Sequence, residues 1–186
     1  KALKPSLLKD NIKGGLIRSA IESLVIDKDD NIWAGTAANG LYKILPISNN
    51  AKVPSYNLEN FSFSTNQFLS LIDLKDGTLM CGTENDGLYH IDSKGTVINN
   101  YSSNKTNTNG ILSNSIWSLY LDNDQRIWLG YYNKGVSVYD KLYDKFNEIE
   151  SLDQNDNSLR HESVTAIVQD DLNALWIATD GGGIDI

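Results

Sequence analysis

The side chains able to do acid, base or nucleophilic chemistry are few in this sequence, and they do not converge. His161 stands beside Glu162, an acid–base pair by type, but no nucleophile or metal ligand accompanies it. Glu84, Asp86 and Glu162 are the carboxylates best placed for glycoside cleavage, which needs two at a set separation. Cys81 is the single cysteine, so no internal disulfide and no zinc scheme built on cysteine pairs is open to the chain. Its place beside Met80 in an apolar run reads as a small buried residue. Two histidines, His90 and His161, are too few for a histidine-rich centre. Asp27, Asp29 and Asn31 suggest a calcium loop, yet the sixth-position glycine and distal glutamate are missing. Hairpin-turn chemistry accounts for them. The expectation is a chain without catalytic residues, metal or cofactor. What remains is binding chemistry: aromatic rings at Trp117, Tyr131 and Tyr132, and polar groups at Arg18, Gln67, Glu84, Asn114, Arg160 and His161.

Charge narrows the partners. Lys and Arg number 16 against 24 Asp and Glu, a net charge of -8 over 186 residues. A nucleic-acid backbone calls for clustered cations, so nucleic acid is excluded as a partner. No apolar run is long enough to span a bilayer, so membrane attachment would come only through segments outside this sequence. The chain opens on Lys1 rather than Met, and the expectation is a piece of a longer product. Asn, Asp and Gly are plentiful and Pro is scarce at three, which points to many tight turns and an all-β chain.

The binding residues sit in a repeating frame. Four segments align without gaps: Ile21 to Ile44, Phe68 to Ile91, Ile116 to Tyr139, and Val164 to Ile186, the last cut short. Their anchors are Trp33, Met80, Trp128 and Trp176, at steps of 47, 48 and 48 residues. Seven residues after each anchor stands a glycine: Gly40, Gly87, Gly135 and Gly183. Ten residues before it stands a small residue: Ser23, Ser70, Ser118 and Ala166. Each unit reads as strand, polar turn, strand, short loop, strand, and a more variable fourth strand. One such sheet cannot bury both of its faces. Stacked radially, each covers the next, and a period in this range belongs to propellers. The small residues then lie on the innermost strands, where space is least. The units run approximately over 15–62, 63–109, 110–157 and 158–186. The stretch 1–14, and within it Ala2 to Lys9, is expected to supply an outer strand to a neighbouring blade.

These residues resemble the two-component regulator propeller repeat. The first unit carries its pattern as Asp27, Ile32-Trp33, Gly35-Thr36 and Gly40-Leu41. The fourth carries it as Asp170, Leu175-Trp176, Ala178-Thr179 and Gly183-Ile184. The lead-in segments Gly110 to Ile116 and Asn157 to Val164 are similar to the linker of that family. Departures are Met80 for Trp, Leu74 for Asp, and Tyr131 for Thr. The resemblance implies a fragment of a seven-bladed propeller from the periplasmic sensor of a hybrid two-component system. It implies an oligosaccharide ligand, control of glycan-utilisation genes, and a histidine kinase outside this sequence.

Strand alternation sets which loops share a face. The linker into each first strand and the loop between the second and third strands lie together, with the acidic turns opposite. Sugars call for aromatic plates against their C–H faces, and for amides, carboxylates or guanidinium groups to pair with hydroxyls. The expected ligand-binding residues on this face are Arg18, Gln67, Glu84, Asn114, Trp117, Tyr131, Tyr132, Arg160 and His161. Tyr131 departs from the Thr of the repeat, and Trp117 stands where the other units have Glu22, Leu69 and Thr165. The plain alternative is that these aromatics pack between blades and that the arginines are solvated. Two further function classes compete: a propeller-borne glycosidase or lyase, and a protein-interaction scaffold. Self-association is expected, because four blades leave open sides.

Overall fold

The computed structural model describes residues 12–13, 17–47, 56–103, 110–140, 145–149, 151 and 158–186. Among them there are strands and no helix. A short β1 (Ile12–Lys13) precedes four meanders. The first blade holds β2 (Ile21–Ile26), β3 (Ile32–Thr36), β4 (Leu41–Pro46) and β5 (Tyr56–Phe61). The second holds β6 (Phe68–Asp73), β7 (Thr78–Thr83), β8 (Leu88–Asp92) and β9 (Val97–Tyr101). The third holds β10 (Ile116–Leu121), β11 (Ile127–Tyr131), β12 (Val136–Asp140) and β13 (Lys145–Ile149). The fourth holds β14 (Val164–Gln169), β15 (Leu175–Thr179) and β16 (Gly183–Asp185). Strands follow chain order within each sheet, all antiparallel. The exception is β1, which runs parallel to β5 on the outer edge of the first blade itself. Ala2 to Lys9, the stretch expected to close a neighbouring blade, lies outside the described residues.

Each innermost strand packs beside the next: β2 by β6, β6 by β10, β10 by β14. The repeat anchors show the direction of stacking. Trp33 packs with Phe68 and Leu71 of the second blade, Met80 with Ile116 of the third, and Trp128 with Val164 and Ile167 of the fourth. Their exposures are 0%, 2% and 8%, whereas Trp176 on the end blade is 38% exposed. On the opposite flank of the arc, Leu24 is exposed where its equivalent Leu71 is buried. Burying such an anchor stabilises by roughly 1.5–3 kcal/mol, so inter-blade contact carries much of the stability of a sheet too thin to hold a core alone.

Hydrogen bonds explain the spacing of the repeat. The indole N–H groups of Trp33, Trp128 and Trp176 donate to Asp27, Asp122 and Asp170 at 2.9, 2.8 and 2.9 Å. The same three carboxylates accept turn amides, from Asn31, Arg126 and Ala174 among others. One aspartate thus holds a hairpin turn and orients the anchor six residues on. The second blade lost both partners together, as Leu74 and Met80. Its turn is held instead by Asp73, accepting from the Lys75 amide, and by Asp76, accepting from Thr78.

The small inner residues also bond between blades. The Leu71 amide donates to Ser23 Oγ at 3.0 Å, and Ser70 Oγ donates to the Ile116 carbonyl at 3.2 Å. Opposite Ser70 and Ser118 in the ladder stand Gly82 and Gly130. A Cβ on Gly82 would fall 2.3 Å from Ser70 Oγ and 2.8 Å from Ile116 Cγ2. The fourth blade pairs Ala166 with Ala178 at this place, trading hydroxymethyl for methyl on one strand and hydrogen for methyl on the other. Gly82→Ala is therefore expected to destabilise by about 1–3 kcal/mol through overpacking. Adding Ser70→Ala should recover part of that loss, which urea unfolding of the single and double variants would measure.

Candidate functional site

The four inner strands share one irregularity. Ile21, Phe68, Ile116 and Val164 pair with the last residue of the second strand, and the third residue of each inner strand pairs with the residue before it. One residue per blade is left over: Glu22, Leu69, Trp117 and Thr165. Such a bulge turns its extra side chain away from the ladder. Here all four line a single cavity of about 490 Å³ at the shared centre of the blades.

Two further kinds of position complete the wall. Backbone bonds tie the loop after each second strand to the linker entering the same blade: Ala37 to Ala20, Glu84 to Gln67, Tyr132 to Ser115, Asp180 to Ser163. These ties hold Ala37, Glu84 and Gln67 on the cavity rim. The repeat glycines fix the same loops from the other side. Gly40, Gly87, Gly135 and Gly183 all have positive φ, between 67° and 86°, a region that glycine enters at no steric cost. The first three donate their N–H to the carbonyls of Asn66, Asn114 and Glu162 in the following linker.

The aromatic element is a pair. Trp117 stacks on Tyr132 with ring centroids 4.6 Å apart and planes at 26°. Unlike the three anchor tryptophans, Trp117 gives its indole N–H to no described residue. Its ring is therefore an apolar plate with an unused donor. No hydrogen bond or ion pair with a described residue engages the carboxylates of Glu22 and Glu84. No group of acidic, histidine or cysteine side chains suited to a metal occurs among the described residues. The cavity can thus offer a flat apolar surface, a donor, two carboxylates, the Gln67 amide and an acceptor at the Thr165 hydroxyl, whose proton goes to the Ala178 carbonyl at 3.2 Å.

Of the nine residues expected from sequence, Gln67, Glu84 and Trp117 line the cavity and Tyr132 backs Trp117. Tyr131 does not reach it. It is fully buried in the cluster with Ile111, Ile116 and Leu129, and its hydroxyl accepts from the Leu112 amide at 3.4 Å. Burial pushes that phenol well above its ordinary pKa. Asn114 is a structural latch, its Oδ1 taking the Ser103 amide at 2.6 Å. Arg160 pairs with Asp185, Nε to Oδ1 at 3.4 Å. His161 Nδ1 accepts the Ser163 amide at 3.1 Å, which fixes its ring in the linker. Arg18 is exposed and does not line the cavity. Of the carboxylates weighed for hydrolysis, Asp86 is engaged by Ser64 and Tyr89 instead. Sequence reasoning passed over Glu22, Ala37, Leu69 and Thr165. Three of them form the column of Trp117, so the repeat alignment itself held the signal.

Four-stranded meanders packed around a common centre define a β-propeller, and the comparisons agree. The two component regulator propeller model matches residues 110–133 and 158–181, which lie in the third and fourth units. Two structures of the extracellular domain of BT4673 from B. thetaiotaomicron cover 91% of this chain. One, assigned to a hybrid two component system, has a TM-score of 0.67 at 25% identity. The other, assigned to a one component system, has 0.69 at 26%. This chain spans 21% of those neighbours. The computationally designed Ika4 protein matches over 94% of both chains, with a TM-score of 0.63 at 16% identity, a likeness of fold alone. None of the curated proteins matches the chain.

Proposed function

We propose that the chain is part of an extracytoplasmic ligand-sensing module of a hybrid two-component sensor, and that it takes a glycan-derived oligosaccharide at the central cavity. This module sits on the periplasmic side of the inner membrane, and the kinase, the membrane span and control of glycan-utilisation genes belong to the rest of that sensor. The reading is supported by the regulator propeller repeats and by the extracellular domains that share the fold. The observation that carries it is the Trp117–Tyr132 stack beside unengaged polar groups on one cavity. This is the mixture a sugar ring needs, with an apolar plate for its C–H face and hydrogen-bonding groups for its rim.

The test is thermal unfolding against a panel of acidic, neutral and amino oligosaccharides. A melting temperature that climbs with the concentration of one glycan supports sensing. No shift with any of them would remove the reading, and release of cleaved product would favour an enzyme. Self-association is part of the proposal, supported by the exposed apolar residues on both end blades, Leu24 and Ile26 on one and Val168 and Ile184 on the other. Sedimentation velocity is expected to show a dimer growing with concentration, and a monomer throughout would rule that part out.

A further inference from the structure

The charge of the cavity carries the reading one step further. Its lining holds two carboxylates, an amide, a hydroxyl and an indole, and neither a lysine nor an arginine. The two cations expected on this face are spent or displaced: Arg160 pairs with Asp185, and Arg18 does not line the cavity. A uronic or sulfated sugar would meet Glu22 and Glu84 with like charge, and no cation of the lining offsets it. A protonated amine meets the opposite situation. It finds unengaged carboxylates from two blades, and Trp117 presents the electron-rich face that attracts ammonium groups.

We infer that this cavity selects glycans bearing a free, protonated amine over their neutral and acidic counterparts. The inference rests on the sugar-binding reading above and adds the chemical class of the ligand. Glu22 and Glu84 act as the charge partners and Trp117 as the plate beneath the ring. The N-acetylated form of the same sugar keeps the ring but loses the charge, so it forfeits the carboxylate contacts and keeps the stacking. The bulge explains why this specificity is local. Glu22 and Trp117 occupy equivalent positions in different blades, so one structural slot supplies both the anion and the aromatic.

The experiment is ligand-observed NMR on the protein with three probe sets: glucosamine, galactosamine and mannosamine; their N-acetyl forms; and glucose, galactose and mannose. The measurement is made at about pH 6, where the sugar amines are protonated. At least one amino sugar should bind about five- to tenfold more tightly than its two uncharged forms, the size of one exposed ion pair plus one cation–π contact. That preference should shrink in high salt. It should disappear in the Glu22→Gln, Glu84→Gln double variant, in which each amino sugar and its uncharged forms should bind alike. Equal binding of amino and parent sugars overturns the charge inference and leaves sugar sensing standing, as does a preference that survives the double variant. Absence of binding by all nine overturns the charge inference, and sugar sensing then stands or falls on the oligosaccharide panel.

Discussion

Asp122→Ala is expected to lower the unfolding free energy by about 3 kcal/mol, measured by urea denaturation at neutral pH. The carboxylate is buried and takes four donors: the Trp128 indole at 2.8 Å, the Arg126 amide at 2.8 Å, Arg126 Nε at 2.7 Å and the Asp124 amide at 2.9 Å. Alanine leaves the indole and the turn amides without a partner, and charged hydrogen bonds are the costly ones to lose. Sequence already contains the alternative solution, because the second blade has Leu74 and Met80 in place of aspartate and tryptophan. Asp122→Leu should therefore cost less when Trp128→Met is present than when it is alone. A coupling of about 1 kcal/mol or more is expected for partners in contact. Additive costs would mean that the paired loss in the second blade is coincidental.

The same carboxylate sets a pH dependence. Burial alone would raise its pKa, but the Trp128 and Arg126 hydrogen bonds outweigh that and hold it below the ordinary 3.8. Asp27 is held down in the same way, burial again being outweighed, by Trp33 and Asn31. A depressed folded-state value stabilises the fold above the unfolded-state pKa, and that stability is lost as pH falls through the folded value. Stability from these two groups should thus be flat from neutrality down to about pH 4 and fall below it. Asp122→Asn should flatten the acid limb relative to the parent protein. An acid limb equally steep in the variant would place the effect on other groups.

The repeat made the architecture legible, because register at a constant period survives wherever each sheet must cover the next. Anchor tryptophans, positive-φ glycines and small inner residues all stand where that logic puts them. The site was legible in part. Trp117 stood out as an aromatic in a column that demands none, and the structure lays it on the cavity. Glu22 lies in the same column, but its type alone does not set it apart from any polar residue of a strand. The bulge that redirects it depends on pairing with the neighbouring strand, which no local pattern reveals. Tyr131 shows the converse. Its departure from threonine marks a real local difference, since Thr36 and Thr83 give their hydroxyls to the carbonyls of Gly40 and Gly87. Direction was the missing information. The ring fills the core, and its hydroxyl meets the linker amide of Leu112 instead.

Trp117→Ala is expected to weaken oligosaccharide binding by about ten- to a hundredfold, as removal of a central aromatic contact does. Its effect on folding should be small. The indole bonds to no described residue, its outer neighbour is the exposed Tyr132, and its equivalents in other blades are as different as Glu22 and Thr165, so the slot tolerates almost any side chain. Trp128→Ala is the contrasting control. That ring is buried between the third and fourth blades and bound to Asp122, so its removal should depress stability and disturb binding only through unfolding. Measured together by calorimetric titration and urea unfolding, the two variants separate recognition from architecture. Trp117→Phe sharpens the comparison: a smaller plate without the indole donor should keep part of the stacking and lose the donated hydrogen bond, giving an intermediate affinity. If Trp117→Ala binds as the parent does while Trp128→Ala simply unfolds, the aromatic pair at the cavity is packing and the ligand sits elsewhere on the propeller.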